Sequence, residues 1–566
     1  MIPLKGIPAA PGVAVGPAHL YGIRPGIPPT GPAEAPEAER RRLQEATEAA
    51  RDELSRLIAQ SRGLLGESAA SLFEAHLMML EDPSLHEAVL GKIEGGRAAE
   101  AAVADSVNVY AARLEALESP LFRARASDVQ EVGERLIRAL LGSSKRRPPE
   151  FPGSWILVAR DLALSDLVRV DKERVLGWCT EKGSGTSHAA ILARALGFPA
   201  VVGLGQALRE VNDGDQIAFD GERGTVFVHP DPGTRRRLEK QQARHLDAHE
   251  RSRSQAQDPS VTLDGHRIPI LANLSDSGSA AIALSHGAEG VGLLRTEFLF
   301  LDRPLIPDEE EQYSAYAAVV EAMGDRPVTV RTLDLGGDKR PPFLPRLQPG
   351  SADASRGIGL SLERPAFFKM QLRALLRAAA TRDLRILLPM VTTVEEVRSA
   401  NTLFQDCRDE LESDGRSAGK NIQMGVMVEV PAAVEIVEDL AAEANFLSLG
   451  TNDLIPHLLD SDRAQEERRD PLDPLVLRTL GRVVEAGHSA GIPVAICGEL
   501  AGDLEAIPLL VGLGLDELSM RPTAIPAVKQ RIRSLNRTQA QALLLEALQL
   551  SSASELRRIT GEFASV

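Results

Sequence analysis

The sequence predicts an α/β protein of several domains: a helical bundle, an α/β domain and a C-terminal (β/α)8 TIM barrel. Three patterns predict this fold class. Eight apolar runs of strand length alternate with helical stretches after residue 268, residues 154–230 alternate on a shorter scale, and residues 38–141 show helical spacing with few Gly or Pro. Eight strands over roughly 300 residues are typical of the barrel. A doubly wound sheet would also alternate, but it usually needs fewer strands.

The composition fits a globular protein and argues against nucleic-acid binding. The chain has 566 residues, of which 43% are hydrophobic and 25% charged, which suits three or four domains. A net charge of −16 and only 4% aromatic residues argue against nucleic-acid binding, because such binding needs basic surfaces and stacking rings. No uncharged apolar run reaches the roughly 18 residues of a membrane span.

Cysteine usage and the N-terminus predict a cytoplasmic location. The three cysteines, Cys179, Cys407 and Cys497, form no CxxC pair, so neither a disulfide framework nor a structural zinc site is expected. The first residues lack the basic and apolar regions of a signal peptide. We therefore expect a soluble cytoplasmic protein without membrane insertion.

Extended segments, a proline-rich loop and a helical bundle come first along the chain. Residues 1–20 are broken by Gly and Pro, and residues 22–36 hold five prolines, typical of a loop. Apolar residues then recur with helical spacing from Leu43 to Leu57. The segment 32–138 has 20 acidic and 13 basic residues, which by composition alone indicates a solvated acidic surface.

An α/β stretch and a charged helix follow the bundle. Strands are predicted at 155–159, 174–178, 201–202, 216–219 and 225–228, and a helix at 187–196. Residues 233–258 are highly charged with almost no Gly or Pro, which predicts a long exposed helix linking the two halves of the chain.

The predicted barrel strands begin near eight positions: Ile268, Gly290, Val328, Ile386, Met424, Phe446, Ile492 and Glu517. Helices are predicted between them, for example at 366–379, 394–412, 432–443 and 475–490. In a (β/α)8 barrel the active site lies at the carboxyl ends of the strands. The residues at those ends are therefore the first candidates for function.

Charged or reactive side chains follow the predicted strands repeatedly at that end. In chain order they include Arg295, Arg331, Glu429, Asp453 and Cys497. Any one of these residues could simply form a salt bridge within a loop. Loop salt bridges do not readily explain why five such residues follow strands at the same end of the barrel. A cysteine at a strand end is by itself more often a small buried residue, but in this company Cys497 is a candidate proton donor.

These residue types suit metal-assisted chemistry on a small phosphorylated acid. Glu429 and Asp453 suit Mg²⁺, which takes one or two carboxylates and completes its shell with water and substrate oxygens. Arg295, Arg331 and the later Arg463 suit a small dianion, because guanidinium groups stay charged and bind phosphate or carboxylate with two hydrogen bonds.

A second group of residues lies in the first half. The Gly-rich turn 183–185 leads into Thr186 and Ser187, which are good helix N-caps, and His188 falls in the first helical turn. The positive helix end disfavours an imidazolium, so His188 would be a neutral nucleophile, and the same backbone N–H groups would hold a phosphoryl group. A lone histidine near a helix start is usually structural; the Gly-Ser-Gly-Thr-Ser context weakens that alternative.

Several motifs together resemble a known family. The sequence Gly-Thr-Ser-His at 185–188, with Ile-Leu-Ala-Arg at 191–194, is similar to the phosphohistidine motif of phosphoenolpyruvate (PEP)-utilising enzymes. Similar barrel motifs occur at 287–300, 425–431, 450–454 and 497–503. The opening at 6–16 and the bundle run at 73–82 resemble one branch, enzyme I of the PEP:sugar phosphotransferase system, the phosphoenolpyruvate–protein phosphotransferases. The resemblance covers essentially the whole chain.

The resemblance implies a role for each matching residue. His188 would be the phosphorylated nucleophile, and Cys497 would protonate the enolate to give pyruvate. Glu429 and Asp453 would hold Mg²⁺. The residues implied to bind PEP are Arg295, Arg331, Asn452, Asp453 and Arg463.

The resemblance also implies domains and partners. Residues 1–22 and 145–231 would form a swivelling phosphohistidine α/β domain, into which the α-helical bundle 23–144 is inserted to bind the phosphocarrier protein HPr. Residues 232–260 would be a helical linker. Residues 261–566 would be the PEP-binding barrel, through which the family forms homodimers. HPr would accept the phosphoryl group as the first step of the phosphotransferase system.

Four stretches depart from the family pattern near the expected phosphate sites. Gly-Ser-Gly at 183–185 replaces Gly-Gly-Arg, Ile-Pro-His at 455–457 replaces Thr-Gln-Tyr, and Arg521 replaces a serine. In the stretch 350–360, Arg356 matches the first of two family arginines and the second is replaced. These changes bear on rate, PEP affinity and specificity, while the metal-ligand and cysteine positions are kept.

Two other functions stay open at this point. The departures are also expected of a regulatory paralogue that senses PEP with little turnover. A relative of pyruvate phosphate dikinase or PEP synthase would share the histidine and barrel modules. Those enzymes need a large ATP-binding domain, however, and a chain that opens directly on the motif at Gly6 leaves no room for one. An active PEP-dependent phosphotransferase is the expected function.

Overall fold

The architecture is that of a computed structural model, which describes residues 2–21, 33, 35–65, 67–116, 120–141, 153–160, 162, 174–184, 187, 190, 193, 197–300, 305–335, 356–380, 382–419, 421–459 and 470–564. The chain divides into two units, residues 1–247 and 248–566.

In the first unit, eight strands among the described residues form one mixed sheet. They are β1 (Ile2–Lys5), β2 (Ile7–Ala10), β3 (Val13–Tyr21), β4 (Trp155–Ala159), β5 (Val175–Thr180), β6 (Ala200–Val202), β7 (Gln216–Asp220) and β8 (Thr225–Val228). Their order is β1-β8-β7-β3-β4-β5-β6-β2. β3 through β6 pair in parallel, and the remaining pairs are antiparallel. The strands predicted in this stretch lie within two residues of these bounds.

Helices of a bundle lie between β3 and β4 in the chain. They are α1 (Pro36–Leu65), α2 (Glu67–Leu80), α3 (Pro83–Glu94), α4 (Ala99–Glu115) and α5 (Pro120–Leu140). Apolar positions from Leu43 to Leu57 are buried at the predicted helical spacing. The bundle core is continuous with one face of the sheet, where Trp155 and Leu157 pack. Because β3 pairs with β4, the residues before and after the bundle meet in one sheet.

Buried charges tie the bundle helices together. The guanidinium of Arg135 is 1% exposed and binds the carboxylates of Glu53 and, at 3.3 Å, Glu131. Glu39 is equally buried and accepts hydrogen bonds from Arg42 at 2.8 Å and from the N–H of Ala99 at 3.0 Å. Each group here has a partner of opposite charge or a donor, as burial of a charge requires.

A single helix, α6 (Pro232–Ser254), crosses the boundary between the two units in sequence. Its start packs through Leu238 on Val13 and Ala218 of the first unit. The predicted charged helix at 233–258 is therefore present, and it ends at Ser254.

The second unit is a closed barrel of eight parallel strands within its described residues, which confirms the (β/α)8 prediction. The strands are β9 (Ile270–Leu274), β10 (Val291–Arg295), β11 (Val328–Arg331), β12 (Leu384–Leu388), β13 (Gln423–Val428), β14 (Leu447–Leu449), β15 (Val494–Ile496) and β16 (Glu517–Met520). β16 pairs with β9 and closes the barrel. The alternative of an open doubly wound sheet is thereby excluded.

Helices surround the barrel strands. They are α7 (Gly278–Ser285), α8 (Glu309–Met323), α9 (Ile358–Glu363), α10 (Pro365–Ala378), α11 (Val394–Ser413), α12 (Pro431–Glu435), α13 (Val437–Glu443), α14 (Thr451–Leu458), α15 (Pro474–Ser489), α16 (Ile507–Leu513), α17 (Ile525–Arg533), α18 (Arg537–Ala547) and α19 (Ala553–Ala564). The helix predicted at 432–443 is divided, because Ile436 leaves the helical region at φ −114° and ψ 23°.

A small apolar cluster fills the barrel interior. It joins Leu293, Leu387, Met427, Phe446 and Cys497 from different strands or strand ends. The ring of Phe446 lies so close to β13 that a Cβ at position 425, which is a glycine, would stand 2.4 Å from it. The barrel interior is thus filled with side chains below the strand ends. The residues that a ligand can reach lie at the rim formed by the carboxyl ends of the strands.

Across the part of the chain that the structure describes, no helix is both long enough and apolar enough to cross a membrane.

Candidate active site

The carboxyl ends of the barrel strands bring the predicted residues to one rim. Arg295 and Arg331 end β10 and β11, and Glu429 directly follows β13. Asp453 lies in the first turn of α14, just after β14, and Cys497 directly follows β15. All eight strands are parallel, so these side chains share one end of the barrel.

Arg331 is the centre of a buried ion-pair network. Its Nη2 donates to Glu297 Oε1 at 2.8 Å, and its Nη1 lies 3.1 Å from Asp334 Oδ2 and 4.0 Å from Glu429 Oε2. Burial opposes the charged form, but the nearby carboxylates outweigh it and raise the pKa of Arg331 further. The guanidinium is therefore a fixed positive charge at the rim.

Arg295 is a half-buried arginine beside this network. Among the described residues it forms no ion pair, while its charge lowers the pKa of the Cys497 thiol. Arg331 is engaged by carboxylates, whereas Arg295 has no ion-pair partner among the residues that the structure describes.

Glu429 is a carboxylate held almost out of water. It is 1% exposed, and its Oε1 accepts a 2.7 Å hydrogen bond from the N–H of Met390. Burial raises the pKa of Glu429 to about 8, the neighbouring charges of Asp334 and Asp453 act in the same direction, and Arg331 acts against them. Met390 has φ +57°, a conformation rare for a side-chain-bearing residue, which directs its N–H towards the carboxylate.

The donor set fits the Mg²⁺ that the resemblance implies. Four carboxylates, of Glu297, Asp334, Glu429 and Asp453, face three guanidiniums, of Arg295, Arg331 and Arg356. These carboxylates offer only oxygen donors, as a hard divalent cation prefers. A Cβ at Gly450 would stand 3.0 Å from Glu429 Oε2, so the glycine keeps that oxygen clear. Within the described ranges no three His, Cys, Asp or Glu side chains form a metal cage, and two carboxylates with water and substrate oxygens match this arrangement.

Asn452 and Asp453 face the rim from the start of α14. The Oδ1 of Asn452 accepts a 2.8 Å hydrogen bond from the N–H of Glu499, which leaves its amide N–H groups as donors. Asp453 binds Arg356 through both oxygens, at 3.2 and 3.4 Å. Arg356 in turn binds Asp334 at 2.9 and 3.0 Å, so one guanidinium joins two strand ends.

Cys497 is a buried thiol. Burial raises its pKa to about 11, against the hydrogen bond from Ser448 and the charges of Arg331 and Arg295. The Ser448 hydroxyl donates to Sγ at 3.3 Å, and the thiol donates to the carbonyl of Leu449 at 3.6 Å. At neutral pH the sulfur therefore carries its proton, as a general acid must.

Polar side chains next to the candidate groups form hydrogen bonds with the backbone at the strand ends and with one another. Asn273 donates to the carbonyl of Cys497 at 2.9 Å and accepts from Ser519 at 2.6 Å. Gln371, which is fully buried, accepts from the N–H of Leu333 at 3.0 Å and donates to Tyr316 at 3.1 Å. These contacts fix the backbone around the candidate groups.

The loop at 182–193 follows β5 and is described only in part. Gly183 has φ +116°, and a Cβ there would lie 3.2 Å from Val202, so this position requires glycine. The N–H of Ser187 donates to the carbonyl of Ser184 at 3.0 Å. The predicted nucleophile His188 and the predicted PEP-binding Arg463 lie outside the described residues.

Two of the departures from the family pattern can be placed. Pro456 lies inside α14 and has no N–H to donate to the carbonyl of Asn452, so that helix starts with one hydrogen bond fewer. His457 and Arg521 are exposed. Residues 350–355 lie outside the described part of the chain.

Sequence reasoning gave no role to several residues that the structure brings to the site. Glu297 and Asp334 could have been identified as site residues from the sequence, because each stands two or three positions after an arginine that ends a strand. Ser448 could have been found from strand alternation. Gln371 and Met390 arrive from distant parts of the chain, and no local pattern marks them.

Three family descriptions match the chain. "PEP-utilising enzyme, PEP-binding domain" matches residues 249–537, about half of the chain. "PEP-utilising enzyme, N-terminal" matches residues 5–125, and "PEP-utilising enzyme, mobile domain" matches residues 151–224.

The similarity to curated relatives extends over the full length. The chain is 36% identical over 567 residues to a phosphoenolpyruvate-protein phosphotransferase of Staphylococcus carnosus (strain TM300), covering 99% of each chain. It is 37% identical over 525 residues to a protein of the same name from Geobacillus stearothermophilus, covering 92% of this chain and 91% of that one. A solution structure described as Enzyme I aligns with 43% of this chain and 99% of its own, at 35% identity and a TM-score of 0.36. The chain therefore belongs to the family of PEP-utilising enzymes.

Proposed function

We propose that the protein transfers the phosphoryl group of PEP to its own His188 and then to the histidine of an HPr-like phosphocarrier, releasing pyruvate. The single observation that carries this proposal is the barrel rim, where guanidiniums, buried carboxylates and a protonated thiol meet. The full-length similarity to phosphoenolpyruvate-protein phosphotransferases supports the same reaction.

Arg295, Arg331 and Arg463 bind the phosphate and carboxylate of PEP in this proposal, with the amide of Asn452 beside them. Arg295 has no ion-pair partner within the described part of the chain, and Arg331 supplies a charge fixed by Glu297. Phosphoryl transfer asks mainly for positioning and for stabilisation of developing negative charge, which preorganised guanidiniums provide.

Glu429 and Asp453 hold Mg²⁺ in this proposal. The bound cation would neutralise negative charge on the substrate oxygens during transfer. The protein's own contribution is to orient both carboxylates, and the N–H of Met390 does so for Glu429.

Cys497 completes the first half-reaction. The bond between phosphorus and the enol oxygen breaks, the bond between phosphorus and a ring nitrogen of His188 forms, and the enolate remains. The thiol then gives its proton to the terminal carbon of the enolate, which yields pyruvate. The Ser448 hydroxyl, which donates to Sγ, stabilises the thiolate that is left.

We place the docking surface for the phosphocarrier on the helical bundle. Met78 is 69% exposed on α2, and the acidic residues Glu81, Asp82 and Glu87 lie exposed near it in sequence. An apolar anchor with acidic neighbours fits a partner with an apolar centre and a basic rim. In this proposal, α6 is the helical linker that lets the phosphohistidine domain visit the barrel and then the carrier.

We further infer a homodimer through the barrel and a cytoplasmic location. The three cysteines are unpaired and buried, as in a reducing compartment. Light scattering on the full chain and on residues 248–566 would test whether the second unit carries the dimer contact. If each sample has the mass of its own single protomer, the proposed homodimer is contradicted.

The central test is PEP-dependent phosphorylation followed by intact mass. With PEP and Mg²⁺, the wild-type chain should gain one acid-labile phosphoryl group, and a candidate HPr should then gain it. His188→Ala should gain none, whereas His245→Ala, an exposed histidine of α6, should label normally. Labelling of His188→Ala at the wild-type level would overturn the assignment. Labelling without steady pyruvate release in the presence of HPr would favour the PEP-sensing alternative.

A further inference from the structure

Arg356 forms an ion-pair bridge between two strand ends of the barrel. Its Nε and Nη2 donate to both oxygens of Asp334 at 2.9 and 3.0 Å, and its Nη1 and Nη2 donate to both oxygens of Asp453 at 3.2 and 3.4 Å. The backbone beside it is anchored: Gly357 has φ +60°, and the N–H of Ile358 donates to the carbonyl of Pro389 at 3.0 Å.

The two halves of this bridge are unequal. The Asp334 side chain is 2% exposed and its bonds are short, whereas the Asp453 side chain is 31% exposed and its bonds are long. A charge-assisted hydrogen bond is strongest when short and shielded from water. The guanidinium is therefore anchored to Asp334 and held loosely by Asp453.

Asp453 is also one of the two carboxylates that we assign to the divalent cation. Both of its oxygens accept from Arg356, so a cation that binds one of them must compete with the guanidinium for the same lone pairs. Among the described residues Glu429 does not share this constraint, because the nearest guanidinium nitrogen, Nη1 of Arg331, is 4.0 Å away.

We propose that Arg356 is a built-in counter-ion that holds Asp453 until a divalent cation displaces it. This inference rests on the proposed metal site. Displacement would leave the guanidinium bound to Asp334 and release its hydrogen bonds to Asp453, so that an anionic ligand could accept them instead. Cation and anion binding are thereby coupled, and by linkage each raises the affinity of the other.

The test measures binding of Mn²⁺ alone to the full chain, without PEP, by calorimetry and by the electron paramagnetic resonance of free Mn²⁺. In Arg356→Gln the competing charge is gone, and we expect Mn²⁺ to bind more tightly by about fivefold or more. Arg356→Lys keeps the charge but lacks the fork that reaches two carboxylates, and it should show a smaller gain. Arg373→Gln, which removes an arginine paired with Glu309 of α8 and with Asp414 just after α11, should bind as the wild type does.

A fourth variant separates the two hypotheses. Glu429→Gln should lose most Mn²⁺ binding if the metal site is correctly assigned. Loss in Glu429→Gln with unchanged or weaker binding in Arg356→Gln would overturn the counter-ion role and leave the metal site standing. Unchanged binding in Glu429→Gln would overturn the metal site and with it this inference. If Arg356→Gln does not fold, as judged by circular dichroism, the comparison rests on Arg356→Lys, and affinity equal to wild type there would overturn the proposal.

Discussion

The barrel rim and the bundle core both bury arginine–carboxylate pairs, but they use them differently. In the bundle, Arg135 of α5 binds Glu53 of α1, and Glu39 of α1 accepts from the N–H of Ala99 in α4, so each of these buried charges joins two helices. At the rim, Glu429 lies 4.0 Å from the nearest guanidinium nitrogen of the described residues, and burial raises its pKa to about 8. The bundle charges thus have close partners within the bundle, whereas Glu429 and Arg295 have no ion-pair partner closer than 4.0 Å among the described residues.

This difference gives a criterion for reading buried charge. A buried pair by itself is weak support for either stability or function. A buried carboxyl whose pKa is raised by burial and which has no close counter-ion among the described residues, as in Glu429, marks a candidate ligand site.

The largest expected effect contrasts Arg331 with Arg135. Arg331→Gln should lower the rate of PEP-dependent phosphorylation by at least about 100-fold, because it removes a preorganised donor and a buried positive charge. Arg135→Gln should leave that rate within a few fold but destabilise the first unit by about 3–5 kcal/mol, because it removes the buried guanidinium that binds both Glu53 and Glu131. Single-turnover labelling and urea unfolding measure the two quantities. If Arg135→Gln lowers the labelling rate as much as Arg331→Gln does, the two regions do not differ as stated.

The next contrast concerns two buried cysteines. Cys497→Ala should slow pyruvate release by about 10²- to 10⁴-fold, because the general acid is lost. Cys179→Ala, in β5, should leave the rate unchanged. Since the thiol of Cys497 is protonated below its pKa of about 11, the wild-type rate should show no loss of this acid between about pH 7 and 9. A rate that falls tenfold per pH unit in this range, and that Cys497→Ala lacks, would mean a much lower thiol pKa.

A smaller effect is expected on the bundle surface. Glu87→Lys should weaken transfer to HPr severalfold at low salt, and added salt should shrink the difference, since rim charges act mainly on association. Labelling of the protein by PEP should be unchanged. Glu546→Lys, an exposed residue of α18, makes the same change of charge in the other unit and serves as the control. Equal effects of both changes would place carrier docking away from the bundle.

The smallest effect is on helix caps, where the two regions should behave alike. Asp82 caps α3 and Thr393 caps α11, each by accepting hydrogen bonds from backbone N–H groups. Asp82→Ala and Thr393→Ala should each lower stability by about 1 kcal/mol, with no change in PEP labelling. Loss of labelling in Asp82→Ala would mean that α3 is needed for phosphorylation by PEP, which would contradict the functional difference between the bundle and the barrel rim.

The sequence predicted the barrel because strand length, helix spacing and strand-end charges are local patterns. It also predicted the positions of Arg331, Glu429 and Cys497 at the rim, since parallel strands fix which end each residue reaches. It could not predict the bridge from Arg356 to Asp453, because those residues are 97 positions apart and meet only through the closed barrel. The same holds for Met390, whose role depends on a backbone conformation and not on its side-chain type.

The pairing of β3 with β4 has a consequence for how the first unit folds. Residues 22–154 separate these neighbouring strands, and closing a flexible loop of that length costs about 4 kcal/mol of chain entropy. A bundle that folds early removes most of this cost, because α1 and α5 already pack together through Glu53 and Arg135. The folded helices thus bring β3 and β4 close together. A destabilised bundle should therefore delay formation of the sheet during refolding.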